Sequence, residues 1–340
     1  MPTLPADVLR RLCAEVLTGV GTPAPGAWVV AEALVDANLA GHDSHGVIRL
    51  RGYVEAAREG HVHPAVEPVL VDREGATARV DGRWGWGPPA MRLATETAIA
   101  AAREFGVGVA VVHRCYHIGR VAPYVETVAR AGMVGIALAN AGPAVAPYGG
   151  RERVMGTNPF AWAVPRAAGR EPLAFDIATA AIAEGKLRVA RAKGDRIAAG
   201  LLIDKDGAPS EDPNDFYAGG ALLPFGGHKG YGIGLLAQVL GRGLAGLDPH
   251  TLATHRGING PLVLALDLAP FGPPERFVEA VEAQCAEITA SAVADGFAEV
   301  LLPGDPELRA RERRLAEGIP VAEPTWEDFR ALAGELGVTV

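Results

Sequence analysis

Apolar residues from Pro5 to Gly19 recur at helical spacing, and Gly19 and Gly21 stop the run. A second helix, rich in Ala and Val, is predicted from Gly26 to about Ala40, and residues 50–60 continue helically. Pro68–Asp72 and Thr77–Asp81 read as a hairpin with Arg73-Glu74-Gly75 in its turn. Pro88–Glu104 is a long alanine-rich helix opened by proline. The strand Val107–Val112, a helix ending at Ala131 and the strand Val134–Ala139 follow. This alternation, taken alone, favours a parallel sheet. Residues 140–180 are loop-rich with short strands, and 199–224 are a turn-rich excursion after a helix at Glu184–Lys193. An apolar helix at Lys229–Leu244, a strand at Leu262–Leu268, a helix at Pro274–Ala290 and a charged helix at Glu307–Glu317 complete the pattern.

At 340 residues and 49% hydrophobic, the chain has room for two domains and ample apolar surface for a core. The 43 glycines and 26 prolines are dispersed, so they punctuate many short elements. The net charge of −8, without a long basic run, argues against a nucleic-acid partner. Three scattered cysteines suggest a reducing compartment. No signal-peptide pattern and no membrane-length apolar run is seen, so the expectation is a soluble cytoplasmic protein with no membrane partner.

The densest chemistry lies at the end of the second helix, in Gly41-His42-Asp43-Ser44-His45-Gly46-Val47-Ile48-Arg49-Leu50. His45 and Arg49 are four apart and share a face if the segment is helical. An imidazolium that protonates a new alkoxide and an arginine that holds a carboxylate are what hydride transfer to a 2-oxo acid requires. The bland reading is a polar helix C-terminus. Ser44 beside His45 hints at a hydrolase, but neighbours on a helix do not face each other and no GxSxG elbow exists. His42, His45, His113 and His117 also raise a metal-dependent hydrolase, although no HExxH or CxxC supports it and no metal is expected. His117, at a strand-to-helix turn before Gly119, is the better functional candidate of its pair.

Gly232-Ile233-Gly234-Leu235-Leu236-Ala237 fits part of a dinucleotide fingerprint. It lies inside an apparent helix, so packing through small residues is the better reading. Gly226-Gly227-His228-Lys229-Gly230 puts backbone N–H groups and a lysine at a helix start, which suits an anion such as a pyrophosphate. Asp176 at a strand end can accept from ribose hydroxyls, orient a catalytic group, or simply cap a turn.

In this order the opening stretch, His117-x-Gly119, Pro147-x-Gly149-Gly150, Gly156-Thr157-Asn158-Pro159, Phe175-Asp176-x-Ala178-Thr179, Pro224-x-Gly226-Gly227-x-Lys229-Gly230-Tyr231-Gly232 and Pro303-Gly304-Asp305 resemble the malate/L-lactate dehydrogenase family. This is the non-Rossmann family that includes sulfolactate and ureidoglycolate dehydrogenases, diketogulonate reductase and piperideine-carboxylate reductase. The resemblance runs from about residue 5 to 320.

The resemblance implies an α/β, non-Rossmann NAD(P)-binding fold with a largely antiparallel central sheet. A helical domain built from both chain ends, 1–70 with 274–340, would flank an NAD(P)-binding and substrate-pocket region, 71–273. It further implies a homodimeric oxidoreductase that uses NAD(H) or NADP(H) on a small anionic substrate. That substrate would be a 2-oxo acid or L-2-hydroxy acid like malate, lactate or sulfolactate, or else a cyclic 2-imino acid.

The family's acid–base histidine falls on His45, its carboxylate-binding arginine on Arg49, and Ser44 and His117 line the same pocket. Its cofactor segments fall on Asp176, Ile177, Ala178 and Thr179, on His228, Lys229 and Gly230, and on Pro303, Gly304 and Asp305, with Thr157 and Asn158 bordering the groove. The chain departs from the family pattern at Gln238, where an acidic residue is usual, at Ile197-Ala198-Ala199-Gly200-Leu201, and at Gly260-Pro261-Leu262-Val263. These departures leave room for a homologue that binds the cofactor yet turns over little.

Overall fold

The computed structural model describes residues 1–255 and 257–339. A short strand β1 (Thr3–Leu4) leads into α1 (Ala6–Gly19) and α2 (Ala24–Leu39). After two single turns comes α3 (Leu50–Arg58). Leu9, Val16, Val30, Leu34, Leu50 and Val54 from these helices are fully or almost fully buried in one apolar cluster. The cluster is closed by the far end of the chain, where β12 (Ile319–Pro320) pairs with β1 and α12 (Glu323–Glu335) contributes Phe329 and Leu332.

The central sheet has seven strands. They are β2 (Val69–Glu74), β3 (Thr77–Gly85), β4 (Val107–Cys115), β5 (Met133–Ala139), β6 (Phe160–Val164), β7 (Leu173–Ile177) and, from late in the chain, β11 (Pro261–Asp267). Their order is β2-β3-β4-β11-β5-β6-β7. Every pairing is antiparallel except β3 with β4, which α4 (Gly87–Phe105) connects. The parallel sheet favoured by element alternation is therefore not formed, because β11 inserts between β4 and β5. Leu264 of β11 sits opposite Val109 on one side and Ile136 on the other.

One face of the sheet packs on α4 and α5 (Ala122–Arg130) through small residues, among them Ala94, Ala98, Ala110 and Ala137. The approach is close enough that a Cβ at Gly108 would lie 2.0 Å from the Ala98 carbonyl oxygen. Beyond β7, α6 (Glu184–Lys193) precedes a small antiparallel ribbon of β8 (Leu202–Ile203), β9 (Pro209–Ser210) and β10 (Ala221–Leu222), with α7 (Pro213–Tyr217) between the last two. The helix α8 (His228–Leu244) crosses the other sheet face, where Ala237 meets Leu138 and Leu262. The Gly232–Ala237 motif lies within α8, as the small-residue reading requires. After α9 (Pro249–Thr254) and β11 come α10 (Pro274–Thr289) and α11 (Asp305–Glu317). Among the described residues, no helix is long and apolar enough to cross a membrane.

Candidate active site

The chain leaves α2 at Gly41, whose φ of +83° turns it sharply. It does not continue as the helix assumed from spacing. Two separate 3-10 turns, Asp43–His45 and Val47–Arg49, are joined by an extended Gly46. Asn38 enforces the break. Its Oδ1 accepts from Val47 N at 2.9 Å and its Nδ2 donates to Asp43 Oδ1 at 2.6 Å. A Cβ at Gly46 would lie 2.2 Å from the same Oδ1. The turn is clamped from outside by α11, through His42 Nε2 to Glu307 Oε1 at 2.9 Å and Arg314 Nη2 to Asp43 Oδ2 at 3.0 Å. His42 and Asp43 are thus anchors of the turn.

The break also changes what faces what. Ser44 and His45 do touch, with Oγ 3.1 Å from Nδ1. The Arg49 Nε donates to the Ser44 carbonyl at 2.6 Å. The arginine makes no ion pair with any carboxylate among the described residues, although it is only partly exposed. His117 comes from the loop after β4, where the Asn259 Oδ1 accepts from Ile118 N at 3.1 Å. Its ring stacks on that of His45, with centroids 5.8 Å apart and planes at 21°. Its Nδ1 lies 2.7 Å from the Tyr53 hydroxyl, and Tyr53 in turn stacks on Trp86.

Burial, together with the charges of Arg49, His42 and Arg120, pushes the His45 imidazole down to about 3. Burial first, then Arg49 and His45, holds His117 well below its ordinary value. Both rings are therefore neutral at neutral pH. The imidazolium expected from sequence is not the state of the ligand-free site, because burial first, and then neighbouring cationic side chains, oppose the charge. Burial pushes the Tyr53 hydroxyl up, so it stays protonated.

His113 is not part of this pocket; it lies 3.6 Å from Asp81, which also binds Arg114. Among the described residues, no three His, Cys, Asp or Glu side chains converge as a metal site would require. The four histidines of the hydrolase alternative do not gather, and only His45 and His117 meet.

The residues expected at a cofactor fall into two groups. Asp176, Ile177, Pro303 and Gly304 line a cavity of about 830 Å³, together with Ala40, Arg120 and Glu307. Asp176 caps α5, its Oδ2 accepting from Val121 N at 2.9 Å and Ala122 N at 2.8 Å. Asp305 Oδ2 accepts from Leu302 N at 2.8 Å, which sets the turn at Gly304, where φ is +93°.

The second group surrounds the start of α8. Thr179 Oγ1 donates to the Thr157 carbonyl at 3.0 Å, and its own carbonyl accepts from Phe225 N at 3.1 Å. Asn158 is fully buried and donates through Nδ2 to the Gly234 carbonyl at 2.9 Å. The side chains of Thr179 and Asn158 are thus bound within the protein, whereas His228 and Lys229 are exposed. Gly230 packs so closely on Phe225 that a Cβ would lie 2.2 Å from its carbonyl oxygen. Ala178 joins the two groups along the chain, between Ile177 and Thr179.

Sequence reasoning passed over Tyr53 and Arg120. Arg120 directly follows the His117-x-Gly119 turn, and Tyr53 stands four residues after Arg49, the only signal either offered. Arg120 is 6% exposed, lies 3.3 Å from Asp36, and its Nε has no partner.

The sequence model for malate/L-lactate dehydrogenase matches residues 4–330. The chain belongs to the malate/L-lactate dehydrogenase family. The Δ1-pyrroline-2-carboxylate/Δ1-piperideine-2-carboxylate reductase of Pseudomonas syringae pv. tomato is 34% identical, covering 96% of this chain and 94% of that protein. The L-sulfolactate dehydrogenase of Methanocaldococcus jannaschii is also 34% identical, covering 97% and 96%. The solved malate dehydrogenase of Pyrococcus horikoshii OT3 superposes with a TM-score of 0.90 at 31% identity, covering 99% of this chain and 96% of that one. The chain is thus a member of a family of oxidoreductases that act on small substrates.

Within the malate/L-lactate dehydrogenase family, this chain's Gln238 has a local account. Its Oε1 accepts from Asn158 Nδ2 at 3.0 Å and Gly156 N at 3.2 Å, while Nε2 donates to the Val154 carbonyl at 3.2 Å. The amide uses both ends, which a carboxylate cannot do. At Gly260-Pro261, the backbone passes so close to α8 that a Cβ on Gly260 would lie 2.1 Å from the Gly241 carbonyl oxygen. Ile197 N donates to the Glu211 carbonyl at 2.9 Å, so that departure is absorbed in the small ribbon.

Proposed function

We propose that this chain transfers hydride between a nicotinamide dinucleotide, NAD(H) or NADP(H), and the C2 carbon of a 2-oxo acid or L-2-hydroxy acid. The observation that carries the reading is Arg49, a half-buried guanidinium without an acidic partner among the described residues, placed beside two neutral histidines. Such an arrangement calls for an anion. The cavity lined by Arg120 and by the glycine turn at the start of α11 suits a phosphorylated cofactor, and the exposed Lys229 at the start of α8 is a second cation for an anion. When bound, the dinucleotide supplies the hydride.

The protein's part follows from its own atoms. The Arg49 Nε is held by the Ser44 carbonyl, which leaves the Nη pair for the substrate carboxylate. In the tautomer in which the Tyr53 hydroxyl donates to His117 Nδ1, His117 carries its proton on Nε2 and can donate it to the carbonyl oxygen. Ser44 holds His45 by Nδ1, which turns Nε2 toward the substrate. A bound carboxylate offsets the Arg49 charge that opposes protonation of His45. Substrate binding therefore raises the proton affinity of His45, and the proton taken up passes to the new alkoxide. In the oxidation direction, neutral His45 accepts that proton.

The same fork and the same proton donor suit a cyclic 2-imino acid, and the Pseudomonas relative named for such substrates is as similar as the sulfolactate enzyme. The protein is taken as a cytoplasmic homodimer. The test is oxidation of NADH and NADPH against a panel of 2-oxo acids and cyclic 2-imino acids, with His45→Ala alongside. Turnover of one member, lost in His45→Ala, supports the reading. Turnover at the wild-type rate in that variant overturns the acid–base assignment.

A further inference from the structure

The cavity adjoins the His45 turn through Glu307, which binds His42, and through Arg120, and it runs away from that turn along the chain directions of its walls. Ala40, Ala122 and Ile177 mark its near end, at the C-terminus of α2, the N-terminus of α5 and the end of β7. The far end is reached by going back along α2 and β7 and forward along α5. Its ionisable side chains are Glu32, Glu96, Glu126, Glu171, Arg92 and Arg130. Four carboxylates thus face two guanidiniums.

Neither guanidinium is free. Arg130 Nη2 lies 2.7 Å from Glu171 and 3.3 Å from Glu126, and Arg92 Nε lies 3.7 Å from Glu96. Glu32 is exposed and pairs with no cation among the described residues. Toward the near end, Arg120 and Arg311 both share Asp36. The Arg120 side chain is nine-tenths buried and keeps an unpartnered Nε. Asp176 and Glu307 also line this end, so its cations are matched by carboxylates, and the unpartnered Arg120 Nε is the donor a passing pyrophosphate would meet. The larger excess of carboxylates lies at the far end, where the distal nucleoside of an extended dinucleotide would lie.

We propose that this groove selects a dinucleotide with a free 2′-hydroxyl on its adenosine ribose, NAD(H) over NADP(H), with Glu32 as the acceptor for the ribose hydroxyls. This deepens the function proposed above and rests on it. A 2′-phosphate carries about −1.5 to −2 charges at neutral pH. At the far end it meets an excess of carboxylates and no unpaired cation, whereas a ribose hydroxyl donates to a carboxylate.

The test is equilibrium titration of the full-length protein by nucleotide fluorescence, with NADH and NADPH in turn. Competition by ADP and by 2′,5′-ADP probes the adenosine end without the nicotinamide. NADH is expected to bind at least tenfold tighter than NADPH, and ADP to compete better than 2′,5′-ADP, with both gaps narrowing at high salt. Glu32→Arg is expected to raise NADPH affinity relative to NADH at least tenfold, and Glu96→Gln, which releases Arg92, to shift it the same way. Equal affinities in the wild type, or tighter NADPH, overturn the proposal while leaving the hydride-transfer reading intact. Binding of neither nucleotide overturns both.

Discussion

Gly185 is the second residue of α6, and it touches the turn that carries Ser44 and His45. A Cβ built on it would lie 2.2 Å from the Ser44 Cβ and 3.2 Å from the Ser44 Oγ. Nonbonded carbons rest about 3.5–4.0 Å apart, so Gly185→Ala must part the two segments by roughly 1.3–1.8 Å. The helix is tied to α7, where the Tyr217 hydroxyl donates to Glu184 at 2.8 Å and Arg191 Nε donates to Asn214 Oδ1 at 3.0 Å. The turn is the other segment that can yield. Any shift of Ser44 passes to His45 through the 3.1 Å contact and to Arg49 through the 2.6 Å bond.

A misplacement of about 1 Å at a reacting group costs on the order of 10²-fold in rate, and overpacking of this kind costs about 1–3 kcal/mol of stability. Gly185→Ala is therefore expected to lower kcat by roughly 10–100-fold on whichever acid the enzyme accepts. Dinucleotide affinity should be unchanged, since α6 does not line the groove. Steady-state kinetics, a fluorescence titration and a thermal melt separate these effects. Gly243→Ala, on α8 with no atom within 4 Å of the added Cβ, is the control. Wild-type kcat in Gly185→Ala would refute the claim that this contact sets the turn.

Other outcomes follow from the same geometry. Tyr53→Phe leaves the Nδ1 of a buried His117 without its 2.7 Å partner. It should cost about 1–3 kcal/mol in urea unfolding and alter the pH profile of kcat as well, whereas a purely structural role would leave that profile alone. Arg49→Lys loses the Nη fork and should raise KM for the acid by about 10–100-fold, the equivalent of charge-assisted hydrogen bonds worth about 1.5–3 kcal/mol, with little change in dinucleotide affinity.

Acid should destabilise the fold through His45, whose folded value is about 3 against an ordinary 6.5. Between those values the unfolded chain binds a proton that the folded chain refuses. Stability is therefore full above about pH 6.5 and falls on acidification, by up to about 1.4 kcal/mol per pH unit for this group. Unfolding midpoints that do not move between about pH 7 and pH 5 would contradict the buried neutral state. Gly108→Ala should abolish or severely weaken folding, because its Cβ would lie 2.0 Å from a helix carbonyl.

The residues proposed to carry chemistry were legible as candidates because they are clustered or flanked by glycines. His45, Arg49 and His117 stand out by type, and the structure brings the two histidines to within 5.8 Å. What spacing could not show is the break at Gly46. The helical pattern makes Ser44 and His45 diverge, but Asn38 captures Val47 N and folds the turn so that they touch. Protonation was also hidden, since it depends first on burial and then on Arg49, His42 and Arg120.

The sheet shows the same limit. Its strands were visible one by one, but their order depends on β11 arriving from late in the chain to lie between β4 and β5. Local alternation carries no information about such an insertion. Of the roles offered for Asp176, the capping one matches its two backbone partners at the start of α5.

The central claim is direct hydride transfer to C2 of an acid held by Arg49 and protonated by His45. It is tested most directly by single turnover with NADH in which both hydrogens at C4 of the nicotinamide are deuterium, in ordinary water, with mass analysis of the product. The account predicts one deuterium at C2 of a 2-hydroxy or cyclic amino acid, none released to solvent, and no such product from His45→Ala. Deuterium appearing in water, or a labelled product formed equally well by His45→Ala, would contradict it.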